Sequence, residues 1–153
     1  MSAVRIVDTS VFCNIIGVPN RCQRQVETLQ AFKRFRAEGD DLLLPTAAVY
    51  ETGNHIAQEG DGQSRRQAGV RFAKQVRKAM KGESPFDPTQ IHDADEVHGW
   101  LEQFPDDAMR GIGIGDRSII TVWDTVCEQT PSRRIVIWTY DDDLSGYDRE
   151  PQI

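Results

Sequence analysis

Four acidic residues stand where a folded chain would gather carboxylates. Asp8 follows the apolar run Val4-Arg5-Ile6-Val7, and Asp141 follows the apolar segment from Arg134 to Trp138. Both runs read as short strands rich in β-branched residues, so each aspartate marks the carboxyl end of a strand. Glu51 falls in the first turns of a helical segment after a third strand, Asp41-Leu42-Leu43-Leu44. Asp116 opens a late helix after Gly111-Ile112-Gly113-Ile114-Gly115, which reads as a flexible loop. Open parallel sheets bind ligands outside the carboxyl ends of their strands. Right-handed crossovers bring the following helix starts to the same edge. Four carboxylates converging there would repel one another without a counter-charge. Mg²⁺ or Mn²⁺, which prefer oxygen ligands, would supply it. A cation so held activates water and stabilises charge on a phosphoryl oxygen, which is the chemistry of phosphodiester hydrolysis.

The elements that must position these acids follow from periodicity and punctuation. Asp8-Thr9-Ser10 ends the first strand in a polar turn and helix cap. Residues 22–38 have a helical pattern with Val26, Leu29, Phe32 and Phe35 on one face, closed by Gly39. Pro45 stops the next strand, and Thr46 is a suitable cap for the helix carrying Val49, Tyr50, Glu51 and Ile56. Residues 63–81 are strongly helical and hold no acid, and Pro85 and Pro88 bracket a loop. Residues 93–104 form a shorter helix with Val97, Leu101 and Phe104 at helical spacing. In the helix opened by Asp116, Ile119, Ile120, Trp123 and Cys127 trace one apolar face. Strands interleaved with helices imply an α/β architecture with a mostly parallel sheet.

The segments IVDTSVF, LPTAAVYETGNHI, GIGIGDRSIITVW and IVIWTYDDDL resemble, in this order, the four motifs of the PIN-domain ribonucleases, and look closest to the VapC-type toxins of bacterial toxin–antitoxin pairs. The likeness runs from residue 4 to about residue 144. It implies one PIN-like domain over residues 1–153, with a central sheet of four to five strands sandwiched by helices. It also implies Mg²⁺-dependent cleavage of RNA, with Mn²⁺ as a possible substitute. By this resemblance Asp8, Glu51, Asp116 and Asp141 are the catalytic and metal-binding acids, Asp143 is a further metal ligand, and Thr9, Ser10 and Thr139 support them. An antitoxin protein and a homodimer are the implied partners. The sequence departs from the family in having Leu144 where an aromatic is usual. Only about ten residues follow Asp143, so the family's closing strand must be short or absent.

Each acid also has a plainer role open to it. Asp8 and Asp116 could simply cap helices, Glu51 could be a surface glutamate, and Asp141 to Asp143 could form a solvated turn. Asp106 and Asp107 read as exposed, with a peripheral part in metal entry left open. His55 lies one helical turn after Glu51 and reads as a solvated or structural histidine. His92 and His98 lie near no motif, and Trp138 and Tyr140 read as packing residues. Lys74, Arg77, Lys78 and Lys81 share one helical face and could track RNA phosphates, or could be only a solvated stripe. Arg21, Arg24, Lys33, Arg34 and Arg36 form a second basic group with the same two readings.

Bulk properties narrow the field. The chain has 153 residues, is 39% hydrophobic and 27% charged, and carries a net charge of −6. This length can bury a core without disulfides or a structural metal. No apolar run is long enough to span a bilayer, and the N-terminus lacks the features of a signal peptide. Cys13, Cys22 and Cys127 are odd in number and scattered, so reduced buried thiols and a cytoplasmic location are expected. The negative charge alone argues against a nucleic-acid partner, so the distribution of the bases matters more than their sum. An aspartyl-phosphate enzyme is disfavoured because Ser10 stands two residues beyond Asp8, where that chemistry usually needs a second aspartate. An RNA-processing nuclease that is not a toxin, and a non-catalytic RNA- or protein-binding module, are the remaining alternatives.

Overall fold

The structure, a computed structural model, describes residues 2–152. Its elements run β1 (Val4–Val7), α1 (Thr9–Ile16), α2 (Gln25–Ala37), β2 (Asp41–Leu44), α3 (Thr46–Gln58), α4 (Gly62–Met80), β3 (Phe86–Pro88), α5 (Ala94–Met109), α6 (Ile114–Gln129), β4 (Ile135–Trp138) and β5 (Asp148–Arg149). A 3-10 turn covers Asp142–Leu144. The strands form one sheet in the order β3-β2-β1-β4-β5. The pairs β2–β3, β1–β2 and β1–β4 are parallel, and β4–β5 is antiparallel. Among the described residues no helix is long and apolar enough to cross a membrane.

The strands are short and apolar because both sheet faces are covered. Val7, Leu42, Leu44 and Trp138 pack with Val11, Phe12, Ala48 and Ile56 in a cluster on one face. Ile6, Leu43, Ile135 and Ile137 pack against Ile119 and Ile120 of α6 on the other. Adjacent strand residues thus serve opposite cores, as the pleat requires. Phe12 is fully buried and meets Phe86 edge to face at 5.7 Å. Leu144, in place of an aromatic, is also fully buried and anchors the turn after β4.

Several expectations from sequence are corrected. The segment between Pro85 and Pro88 is not a loop: Phe86–Pro88 form an edge strand, where Pro88's missing N–H is tolerated. On α2, Val26 is 73% exposed, and the core face is Thr28, Ala31 and Phe35. Thr28 can be buried because its hydroxyl donates to the Arg24 carbonyl and also bonds the Tyr140 hydroxyl. Thr46 is the first residue of α3 rather than its cap; Pro45 occupies the cap position. Helix α5 continues through Pro105 to Met109. Asp107 in its last turn is completely buried, not exposed. Arg117 donates to both of its carboxylate oxygens at 2.7 Å, and Arg110 donates at 3.2 Å. These bonds hold the Asp107 carboxyl below the usual carboxylate range. The glycine loop is shorter than expected: α6 begins at Ile114, so Gly115 is already helical and Asp116 is the third helical residue. The three cysteines are unpaired, but only Cys13 is buried.

Candidate active site

The sheet order reverses between β1 and β4, because β1 continues to β2 on one side while β4 lies on the other. Such a reversal opens a crevice at the carboxyl ends of the two central strands. Val7 is in register with Trp138, so Asp8 and Thr139 leave the sheet side by side. The Asp8 amide donates to the Trp138 carbonyl at 3.0 Å, which fixes that junction. Asp8 also caps α1.

Hydroxyl groups hold the acids in place. Ser10 Oγ and Thr139 Oγ1 each donate to Asp8 Oδ2 at 2.8 Å. Thr139 Oγ1 accepts from the Asp141 amide at 2.9 Å, and Ser10 Oγ accepts from the Tyr140 amide at 3.0 Å. Thr9 Oγ1 donates to Glu51 Oε2 at 2.8 Å, which ties the start of α1 to α3. Glu51 lies so close to α6 that a Cβ added at Gly115 would sit 1.8 Å from Glu51 Oε1. The glycine before Asp116 is therefore the gap that lets a carboxylate from α3 reach the start of α6.

The result is one pocket of about 400 Å³, lined by Asp8, Glu51, Asp116 and Asp141 from four separate elements, with Thr9 and Ser10 between them. Asp143 lies outside it on the exposed turn, although its charge is felt at Asp116. Asp116 stands at a helix N-terminus, which favours an anion. Burial and the charges of Asp8, Asp141, Glu51 and Asp143 outweigh that effect and push its pKa up to about 7. Burial also raises the Glu51 pKa; the Thr9 hydrogen bond opposes this, and the charges of Asp8 and Asp141 add to it. Among the described residues none of the four acids is ion-paired to a lysine, arginine or histidine.

His55 lines the same pocket, and burial, with the charge of Arg21, lowers its pKa. His92 does stand near a motif residue: it lines a smaller apolar cavity that has Glu51 as a shared wall. Lys74, Arg77, Lys78 and Lys81 are not among the residues lining the acidic pocket. Instead Arg21, Arg24, Asn14, Asn20 and Gln23 form its opposite wall, with Tyr140 beside Asp141. Sequence reasoning did not single out Asn14 or Cys13, which line the pocket, or Gly115, whose missing side chain makes room for Glu51. Asn14 carried a signal, since it follows Ser10 by one helical turn and bonds its carbonyl.

The donors fit a hard divalent cation in type: all are carboxylate oxygens, and their mutual repulsion is unrelieved. As they stand, among the described residues, no three acidic, histidine or cysteine side chains close into a metal-holding group. Comparison with family models, curated proteins and solved structures finds no match for this chain.

Proposed function

We propose that this protein is a metal-dependent endoribonuclease. The observation that carries the reading is the convergence of Asp8, Glu51, Asp116 and Asp141 in one pocket at the sheet's switch point, none of them ion-paired to a basic side chain among the described residues. RNA as the substrate, and the finer reading as a PIN-like toxin with an antitoxin and a homodimeric state, are supported by the sequence resemblance.

Asp8, Glu51, Asp116 and Asp141 would hold Mg²⁺ or Mn²⁺, with Asp143 able to contribute only from outside the pocket. When bound, such an ion activates water and offsets the charge developing on the phosphoryl oxygens. The chain's own work is to gather and orient its acids, whose burial and mutual repulsion favour a cation's charge beside them. Thr139 and Ser10 fix Asp8 by one oxygen, Oδ2. Thr9 fixes Glu51 by Oε2. Hydroxyl donors orient a carboxylate without cancelling its charge, so the negative field stays available for a cation. An aspartyl-phosphate reaction is less well served, because Asp8 is 3% exposed and its Oδ2 is already engaged by two hydroxyls.

The test is cleavage of a mixed cellular RNA pool with and without Mg²⁺ or Mn²⁺, comparing the native chain with Asp8→Asn and Asp116→Asn. Metal-dependent cleavage lost in both variants is the expected result. Intact RNA under every metal condition would favour a non-catalytic binding module. Cleavage that survives both substitutions would place the active site elsewhere.

A further inference from the structure

A polyanion approaching four carboxylates needs a positive surface at the rim. The two basic groups of the sequence compete for that role, and the fold separates them. The α4 bases are partly engaged in structure: Arg71 caps the end of α1 by donating to the Ile16 and Gly17 carbonyls, each at 2.9 Å. The connection from α1 to α2 is different, because it forms a wall of the acidic pocket itself.

That connection is shaped by the chain. Gly17 and Asn20 adopt positive φ values of 79° and 63°, conformations that glycine and asparagine tolerate. Asn14, only 6% exposed, accepts from the Arg24 amide at 2.8 Å and donates to the Ser10 carbonyl at 2.8 Å. The backbone of Arg24 is thereby tied to the helix that Asp8 caps. Its guanidinium lies over the Tyr140 ring, 4.6 Å from the centroid. Tyr140 is in turn fixed by the bond between its hydroxyl and Thr28 Oγ1 at 2.7 Å, and it immediately precedes Asp141. Among the described residues Arg24 has no carboxylate partner, whereas Arg21 beside it is paired with Glu59 at 3.1 Å. A guanidinium held over an aromatic ring with no carboxylate partner keeps N–H donors free, and those donors match phosphate oxygens.

We propose that Arg24, held over the Tyr140 ring and flanked by Arg21, is a phosphate subsite that holds the single-stranded nucleic-acid backbone next to the bond being cut. The strand enters over the α1–α2 connection, not along α4. This deepens the ribonuclease reading and rests on it for the identity of the neighbouring bond. The site itself requires only a phosphodiester ligand.

The test measures binding of a fluorescent single-stranded oligoribonucleotide as a function of salt, together with its cleavage. It compares the native chain with Arg24→Gln, Tyr140→Leu and a control, the double variant Lys74→Gln with Lys78→Gln. Arg24→Gln should weaken binding roughly tenfold at low salt and flatten the log–log salt slope by about 0.7, as loss of one phosphate contact on a single strand predicts. Tyr140→Leu should weaken binding in the same direction, because the arginine loses its platform. The α4 double variant should bind as the native chain does. In cleavage, Arg24→Gln should raise KM more than it lowers kcat. Native affinity and slope in Arg24→Gln would overturn the proposal, and so would a loss confined to the α4 variant or no binding by any protein. Binding that depends on Arg24 without cleavage under any metal condition would uphold the subsite and overturn the nuclease reading instead.

Discussion

Gly115→Ala isolates the geometry of the site from the stability of the fold. The new methyl would stand 1.8 Å from Glu51 Oε1 and 2.9 Å from its Cδ. Ordinary contact begins near 3.5 Å, so the carboxylate has to retreat by about 1.7 Å. The obstructing group is the end of a flexible side chain, and the backbone at residue 115 is helical, so the chain folds without strain. Replacing glycine within a helix stabilises by about 0.5–1 kcal/mol. Loss of the Thr9–Glu51 hydrogen bond costs about 1 kcal/mol. The two nearly cancel, and the thermal midpoint should stay within a few degrees of native. Catalysis behaves differently, since a displacement near 1 Å in an active site can cost on the order of 100-fold. The expected variant is therefore folded, native in its melting and about 100-fold slower in RNA cleavage at saturating metal. Steady-state kinetics beside thermal denaturation decides the matter. A variant that cuts RNA within a few-fold of the native rate would refute the placement of Glu51 in the reacting centre.

The pH dependence follows from Asp116. Its folded pKa of about 7 lies above its unfolded value, so the stability it contributes is fully present below about pH 4 and is lost as pH rises through 7. In chelator, native protein should melt at higher temperature at pH 5 than at pH 8; Asp116→Asn should reduce that difference, and Mg²⁺ should raise the pH 8 midpoint. An unchanged pH slope in Asp116→Asn would contradict the electrostatics. Asp107→Leu should lower stability by about 3–5 kcal/mol in chemical denaturation, because Arg117, only 15% exposed, loses its buried partner; a cost under about 1 kcal/mol would deny that pair its role in joining α5 to α6. Thr139→Val keeps the volume but removes the hydroxyl between Asp8 and Asp141, and leaves the Asp141 amide without its acceptor. It should cost about 1–3 kcal/mol of stability and reduce cleavage, and native values of both would show that the hydroxyl bridge is dispensable.

Three of the acids were legible in the sequence because each sits near an element boundary that local patterning marks, whereas Glu51 lies inside α3. Asp8 and Asp141 follow β-branched runs, and Asp116 follows a glycine cluster. The neighbouring hydroxyls of Thr9, Ser10 and Thr139 were legible for the same reason. The bases Arg21 and Arg24 were also named from sequence, but their place in the wall of the acidic pocket was not legible. Arg24 reaches the pocket through a left-handed turn at Asn20 and a bond to Asn14, and neither leaves a periodic trace. The face of α2 was misjudged because Val26 and Leu29 look like core, whereas the buried Thr28 is stabilised by hydrogen bonds from outside its own helix. Asp107 was misjudged for a related reason: its partner Arg117 lies ten residues on, across a chain reversal that spacing does not reveal. The β3 strand is only three residues long and carries a proline, so it lacks the alternation that marks longer strands.

The carboxylates of this chain divide by the kind of donor that holds them. Asp40 pairs with Arg5, Asp107 with Arg117, Asp148 with Arg134 and Glu59 with Arg21. These acids are neutralised where they stand, and their work is to join strands, helices and loops. Asp8 and Glu51 are held by Ser, Thr and backbone groups alone. Asp141 likewise accepts from the Asp143 amide. A structural role would be better served by an arginine, since a charge-assisted bond is stronger than one from a neutral hydroxyl. Leaving these acids without a direct ion pair among the described residues, while packing them closely enough to lift Asp116 to about 7, costs stability. Stability given up at one edge of a sheet, where the strand order reverses, fits the proposed role of this site in holding an external cation.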